Sequence, residues 1–298
     1  MLPFRLGILF PLRKRYNLIM YKRILVAVNE HLNSEAGARY GLEFAKVAGS
    51  KLYLVFIAER GISPLAIKNA ESAIGRLFES ATNMGIDVEA ITKTGEPVSE
   101  IDSIVRAEGI DLAFVSTRRA DIERRFFSGT TARRLSARLH SSVALVRVVH
   151  AGKIHPKSVL VPLKAKLDYI KERAHFISII SEAFGSELYV FHVRKPSQGF
   201  LSGEVELTTP EWERRFTKDI VRFINIIKKH GIAPHLASIS GDVGRAITLE
   251  ALARRHDLIV MGASRRSLLR SIIGESPVEE ILRETPCNLI ILNPRHHI

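Results

Sequence analysis

The chain has 298 residues, 46% apolar and 25% charged, the balance of a soluble globular protein with enough length for two domains of ordinary size. A single cysteine, Cys287, excludes a disulfide framework and fits a reducing cytosol, and no apolar run approaches the roughly 18–20 residues that span a bilayer. The formal charge of +13 brings phosphate, nucleic acid and anionic surfaces into consideration as partners, against the plainer reading of a solvated basic face.

The first nineteen residues, MLPFRLGILFPLRKRYNLI, place Arg13, Lys14 and Arg15 after a short apolar stretch. That is the wrong side for a signal peptide, and no small-residue cleavage site follows. The segment reads either as a basic amphipathic tail that touches a membrane or partner, or as a start called too early. The position of Met20 directly before the first strand favours the second reading.

From Met20 onward, short β-rich runs alternate with longer helical patterns, the mark of βαβ units and a parallel sheet. Strands are expected near 22–28, 52–57, 86–92, 111–116 and 142–148, and helices over 34–48, 64–84, 97–108 and 130–139. Runs such as ILVAV and LAFV are almost continuously apolar, as they are where helices cover both sheet faces. Ser34 is the expected N-cap of the first helix, and Glu96-Pro97 marks the start of the third. The polar span HAGKIHP, His150 to Pro156, is a linker.

The same paragraph then repeats. KRILVAVN from Lys22 returns as KSVLVPLK from Lys157, AGSKLYLVFI from Ala48 as FGSELYVFHV from Phe184, and DLAFVSTRR from Asp111 as DLIVMGASRR from Asp257. The offset grows from 135 to 136 at Gly49/Gly185 and settles at 146 from Gly85/Gly231, so most of the extra length lies around Gln198–Thr209. Strands follow near 157–163, 187–193, 232–239, 257–262 and 287–292, with helices over 167–184, 210–230, 243–255 and 276–284. The expected architecture is two tandem Rossmann-like domains over residues 20–150 and 156–294, each an open five-stranded parallel sheet flanked by helices, behind an extension at 1–19.

In such sheets, ligands bind beyond the carboxyl ends of the strands, where strand order reverses. The informative stretches therefore follow strands one and four: VSTRRADIERRFFSGTTARRL from Val115 and MGASRRSLLRSIIGESPVEEIL from Met261. Glycines there let backbone approach a phosphate, and a Ser or Thr at a helix start sits among free N–H groups that favour an anion.

These residues, in this strand order, resemble the universal stress protein family in its tandem two-domain form, over roughly residues 20–293. The resemblance implies ATP or AMP binding through G-x2-G-x9-G-[ST] after strand four, with an aspartate at the end of strand one. Carried over residue by residue, the first copy has Val115-Ser116 at the opening glycine, Arg119 at the second, Gly129-Thr130-Thr131 at the last pair and Asn29 at the aspartate. The second copy has Met261-Gly262, Arg265, Glu275-Ser276 and Lys164 at the corresponding positions, so neither completes the pattern. Arginine at the second glycine either fills the pocket or adds a charge-assisted phosphate contact. The first copy keeps the better anion corner, because Glu275 stands where a phosphate would sit in the second. In the family, last strands pair across a dimer. SSVALVRVV and PCNLIIL are accordingly expected to pair within one chain as a pseudo-dimer, with further association of two chains left open.

The functional expectation is a cytosolic, non-catalytic stress-response or regulatory module with weak adenine-nucleotide binding in its first domain. One alternative is a basic module for nucleic acid or an anionic membrane, built on the tail and the eight arginines of Arg118–Arg147. Another is an adenylyl-transfer enzyme, which NEHLNSE from Asn29 and LKAKLDY from Leu163 disfavour: neither offers a phosphate loop, an activated nucleophile or a carboxylate cluster for magnesium. Cys287 is expected in the core and His192 in core or rim packing. Trp212 is expected to shield the core or an interface, and His296 and His297 to lie in a tail. Gly241 and Gly244 make no dinucleotide fingerprint.

Overall fold

The computed structural model describes residues 20–117, 130–194, 205–206, 216–263 and 277–295. The first half runs β1 (Arg23–Ala27), α1 (Leu32–Ala48), β2 (Lys51–Ala58), α2 (Pro64–Asn83), β3 (Val88–Thr94), α3 (Pro97–Ala107), β4 (Leu112–Ser116), α4 (Thr131–Arg138) and β5 (Ser142–Arg147). The second half runs β6 (Ser158–Leu163), α5 (Ile170–Phe184), β7 (Glu187–Arg194), β8 (Val205–Glu206), α6 (Lys218–Lys229), β9 (His235–Ser240), α7 (Val243–Ala253), β10 (Leu258–Gly262), α8 (Pro277–Glu284) and β11 (Asn288–Asn293).

The eleven strands among the described residues form one sheet, in the order β3-β2-β1-β4-β5-β11-β10-β6-β7-β9-β8. Each half has five parallel strands, to which the second adds the short antiparallel β8 at its edge, and the halves join where β5 and β11 run antiparallel, Leu145 opposite Ile291 and Val146 opposite Ile290. The last strands do pair within the chain. Joining them removes two sheet edges that would otherwise present unpaired backbone groups. In each half the strand order reverses between the first and fourth strands, β1 beside β4 and β6 beside β10.

Local sequence explains most element boundaries. Gly49 and Gly185 adopt the left-handed conformation (φ +65° and +60°) that ends α1 and α5, which accounts for a glycine at both equivalent points. Glu96 caps α3 by accepting from the Ser99 N–H at 2.8 Å, with Pro97 in the first turn. The expectation for Ser34 is corrected: α1 begins at Leu32 with His31 as its N-cap, and Ser34 lies inside the helix. Its hydroxyl instead accepts from the Asn29 N–H at 2.9 Å, closing the loop after β1.

Three further boundaries depart from expectation. β9 begins at His235 because Pro234, lacking an N–H, interrupts the ladder. α5 begins at Ile170, since Leu167 donates to the Asp219 carboxylate of α6 and Tyr169 takes a positive φ of 54°. The insertion contributes the unforeseen β8, antiparallel to β9 with Val205 opposite Ser238. Trp212, His296, His297 and the expected helix start at 210–215 lie outside the described residues.

The two halves share their core. On one sheet face, Phe44, Phe114, Phe176 and Phe223 belong to a single apolar cluster; on the other, Leu25, Ile101, Ile259 and Ile281 do. α1 packs on α5, where Phe44 meets Phe176 (ring centroids 5.0 Å) and Tyr21 meets Phe44 edge-on at 5.4 Å. Asn288 locks the junction. Its Oδ1 accepts from the N–H groups of Val149 (2.8 Å) and His150 (2.9 Å), and its Nδ2 donates to the Tyr40 hydroxyl and the Lys153 carbonyl, both at 2.9 Å. Glu172 of α5 accepts from the hydroxyls of Tyr21 and Ser142, both from the other half.

Candidate functional site

The first cleft opens over the carboxyl ends of β1 and β4 and has a volume of about 460 Å³. Ala27 and Val115 pair in register, so the chain leaving β1 carries Asn29 to the rim beside Ser116. Opposite stands the start of α4. Thr130 caps that helix, its hydroxyl accepting from the Arg133 N–H at 3.2 Å. The N–H groups of Thr131 and Ala132, in the first turn, have no partner within the helix and lie at the cleft wall. That wall is a site of positive potential. The Asn29 Oδ1 accepts from the His31 N–H at 3.0 Å, which leaves its amide N–H₂ as the group able to meet a ligand. Glu30, Glu59 and Arg60 also line the cleft.

The second cleft, over β6 and β10, is larger, about 830 Å³, and differently made. Leu163, Val193, Ile247 and Ile281 belong to its apolar lining, and among the described residues Lys164, Lys166, Arg173 and Arg194 line it with one carboxylate, Asp168. The helix start opposite is poor for phosphate: α8 begins with Pro277, which has no N–H, and carries Glu279 and Glu280 in its first turn.

The two clefts differ most at one contact. Counting back twelve residues from the capping glycines, Gly37 of α1 is equivalent to Arg173 of α5. At the partner strand ends, Ser116 is equivalent to Gly262. In the first half, a Cβ built on Gly37 would lie 2.2 Å from the Ser116 Oγ; in the second, a Cβ on Gly262 would lie 1.0 Å from the Arg173 Nη1. Small faces larger in one copy, and the sizes are exchanged in the other. The Arg173 guanidinium thus directs its Nη1 at Gly262, and it donates to the carbonyls of Asp168 (Nε, 2.7 Å) and Ala263 (Nη2, 3.2 Å).

The structure therefore places Asn29, Val115, Ser116, Thr130 and Thr131 around one cleft and Met261 and Gly262 at the other. Arg119, Gly129, Arg265 and Ser276 lie outside the described residues. Arg173 escaped sequence reading because it sits in the first turn of a helix, away from the stretches after strands one and four; the usable signal was the paired exchange of Gly37 and Ser116 for Arg173 and Gly262. Lys164 stands at the mouth of the second cleft, and partial burial followed by the charge of Arg173 holds its ammonium below the usual lysine range.

Residues outside the clefts are plainer. Cys287 is buried, with its thiol pushed up to about 11, chiefly by burial. His192 is buried, its Nδ1 2.8 Å from the Leu163 carbonyl. Among the described arginines of the 118–147 cluster, Arg133 is buried, Arg134 pairs with Glu96 at 3.0 Å, Arg138 pairs with Asp102 at 3.3 Å, and Arg147 donates to the Arg283 carbonyl. Among the described residues, no group of three or more His, Cys, Asp or Glu is placed to hold a metal, and no helix is long and apolar enough to cross a membrane.

Fold and clefts together define a class: a fused tandem of Rossmann-like α/β domains, each with a cleft at its strand-order reversal. The sequence pattern of the universal stress protein family matches the chain twice, over residues 20–147 and 157–293, and the chain belongs to that family. No curated protein matches it.

Among solved structures, a universal stress protein from Archaeoglobus fulgidus is similar, with a TM-score of 0.62 and 21% identity over 93% of this chain and 99% of the other. A putative universal stress protein from Pseudomonas aeruginosa gives 0.63 and 17%, over 93% and 95%. The cytoplasmic domain of a prokaryotic cation chloride cotransporter gives 0.58 and 12%, over 92% and 96%. At such identities these likenesses speak for the fold alone.

Proposed function

We propose that the chain is a cytosolic, non-catalytic regulatory or stress-response module whose first domain, residues 20–150, takes an adenine nucleotide, ATP or AMP, in the cleft over β1 and β4. The observation that carries this reading is the Thr130-capped start of α4, whose first-turn N–H groups face Asn29 and Ser116 across the cleft. The phosphate end belongs at Thr130-Thr131, and the base end toward Asn29. Glu30 and Glu59 on the lining oppose polyphosphate, so binding is weak.

The reading of a basic surface for nucleic acid or membrane loses support from the arginines engaged inside the chain, Arg133, Arg134, Arg138 and Arg147. Calorimetry of the full chain with AMP and ATP tests the proposal. Saturable binding is expected, weakened at least about tenfold by Thr131→Glu, which puts a carboxylate where the phosphate sits. Absence of heat at millimolar nucleotide, or an unchanged affinity in Thr131→Glu, overturns it.

A further inference from the structure

The second cleft has lost the features that suit a nucleotide and acquired others. Among the described residues its lining carries four cations and one carboxylate, and is otherwise largely apolar. Arg173 is 93% buried by exposed area, its relative exposure being 7%. Its Nε and Nη2 are held by backbone carbonyls, whereas Nη1 lies over the bare backbone of Gly262, itself part of the cleft lining. The hydrogen bonds of this buried guanidinium go to neutral acceptors, and the nearby carboxylates of Glu172 and Asp168 offset only part of its desolvation, which still holds it below the usual arginine range. Lys164 brings a second cation to the same end of the cleft. The nearby carboxylate of Glu172 is turned to Tyr21 and Ser142, at the junction between the halves.

The remaining walls restrict what can fill the space. The α8 end gives phosphate little to bind, because Pro277, which lines the cleft there, has no N–H to donate. Leu163, Val193 and Val243 offer apolar surface on the lining, backed by the buried side chains of Ile247, Val278 and Ile281. A polyphosphate would have to be stripped of water against these side chains, at a cost that two cations do not offset. A ligand with one charge at one end and an apolar body matches the arrangement.

We infer that the second cleft is a binding site for a small organic acid of the apolar monocarboxylate class, its carboxylate held by Arg173 and Lys164 and its aliphatic or aromatic body lying against Leu163, Val193 and Val243. The site is independent of the nucleotide reading of the first cleft. Buried charge fixes the polarity of the bound acid, and the apolar walls supply most of the attraction.

The test is calorimetry of the full chain with decanoate, kept below its micelle concentration, beside decanol and ATP. One decanoate per chain is expected to bind, at least about tenfold more tightly than decanol. Lys164→Met, at the exposed mouth, is expected to weaken decanoate by about tenfold and leave decanol unchanged. Amine labelling of Lys164 should be suppressed by decanoate in the wild-type protein. Equal affinity for decanol and decanoate overturns the inference, as does wild-type decanoate affinity in Lys164→Met. Competition of ATP for the decanoate site overturns it too, and so does the absence of decanoate binding.

Discussion

Replacing Gly262 with alanine probes the contact that separates the two halves. The new methyl would fall 1.0 Å from the Arg173 Nη1 and 2.2 Å from its Cζ, so the guanidinium must leave. It then surrenders its bonds to the Asp168 and Ala263 carbonyls at 2.7 and 3.2 Å. Hydrogen bonds to charged groups contribute about 1.5–3 kcal/mol each, but the displaced guanidinium regains water in the cleft, so a net loss of about 2–3 kcal/mol is expected. Gly37→Ala in the first half meets only the Ser116 hydroxyl, which rotates aside, and the gain in helix propensity of about 1 kcal/mol makes the change nearly neutral.

Urea unfolding of the single variants, and of Gly262→Ala in an Arg173→Ala background, measures the coupling. Alanine at 262 should cost under about 1 kcal/mol once Arg173 is gone. The pair Gly262→Ser with Arg173→Gly, which rebuilds the first-half contact, should unfold at higher urea than Gly262→Ser alone. Equal costs of Gly262→Ala in both backgrounds would refute the reasoning, because the clash with Arg173 would then not be its origin.

Other expectations concern the shared core and its titratable groups. His175 and His256 are pushed down to about 4 from 6.5, chiefly by burial, reinforced by the charges of His230 and Arg254 respectively. Their folded values lie below the unfolded one, so the unfolded chain binds protons first. Stability is complete above about pH 6.5 and falls as pH drops toward 4, by at most about 3 kcal/mol per histidine. Thermal melts between pH 7 and 5 should show that slope, and His175→Gln should flatten it; an unaltered slope counts against the assignment. Asn288→Ala removes the acceptor of the Val149 and His150 N–H groups and the donor to Tyr40, with an expected loss of about 3–5 kcal/mol in urea unfolding. Asn288→Asp should also destabilise, because a carboxylate cannot donate to Tyr40 or Lys153. The Cys287 thiol, buried and raised to about 11, should resist a thiol-reactive disulfide in the native protein and react on unfolding; fast native reaction would show that the last strand opens locally.

Much of the fold was legible because its determinants are local and periodic. Continuous apolar runs marked the strands, and Glu96-Pro97 marked a helix start. Ser34 misled because a serine before an apolar helix suits both a cap and a loop-closing acceptor, and only the path of the backbone after β1 decides. β8 could not be read from the sequence: two residues carry no period, and an edge strand exists only by pairing with its neighbour. The cleft positions Asn29, Thr130 and Gly262 were visible through the repeat, but their environments were not. Arg173 is equivalent to a glycine far from any motif, and its effect on Gly262 depends on helix packing over the sheet.

By itself, the sequence determined that one α/β unit is written twice and where its strands lie, since the same apolar runs and turn residues recur at a nearly constant offset. The joining of the last strands was expected from the family resemblance alone. Tertiary structure alone decided that the two cores merge beneath a single sheet and that the clefts diverge in character. The reason is physical. Periodicity fixes which face of an element is buried, whereas the charge and volume of a cleft are set by side chains from distant elements, and one exchange across a helix–strand contact put a buried cation in the second cleft where the first has Gly37 packed against Ser116.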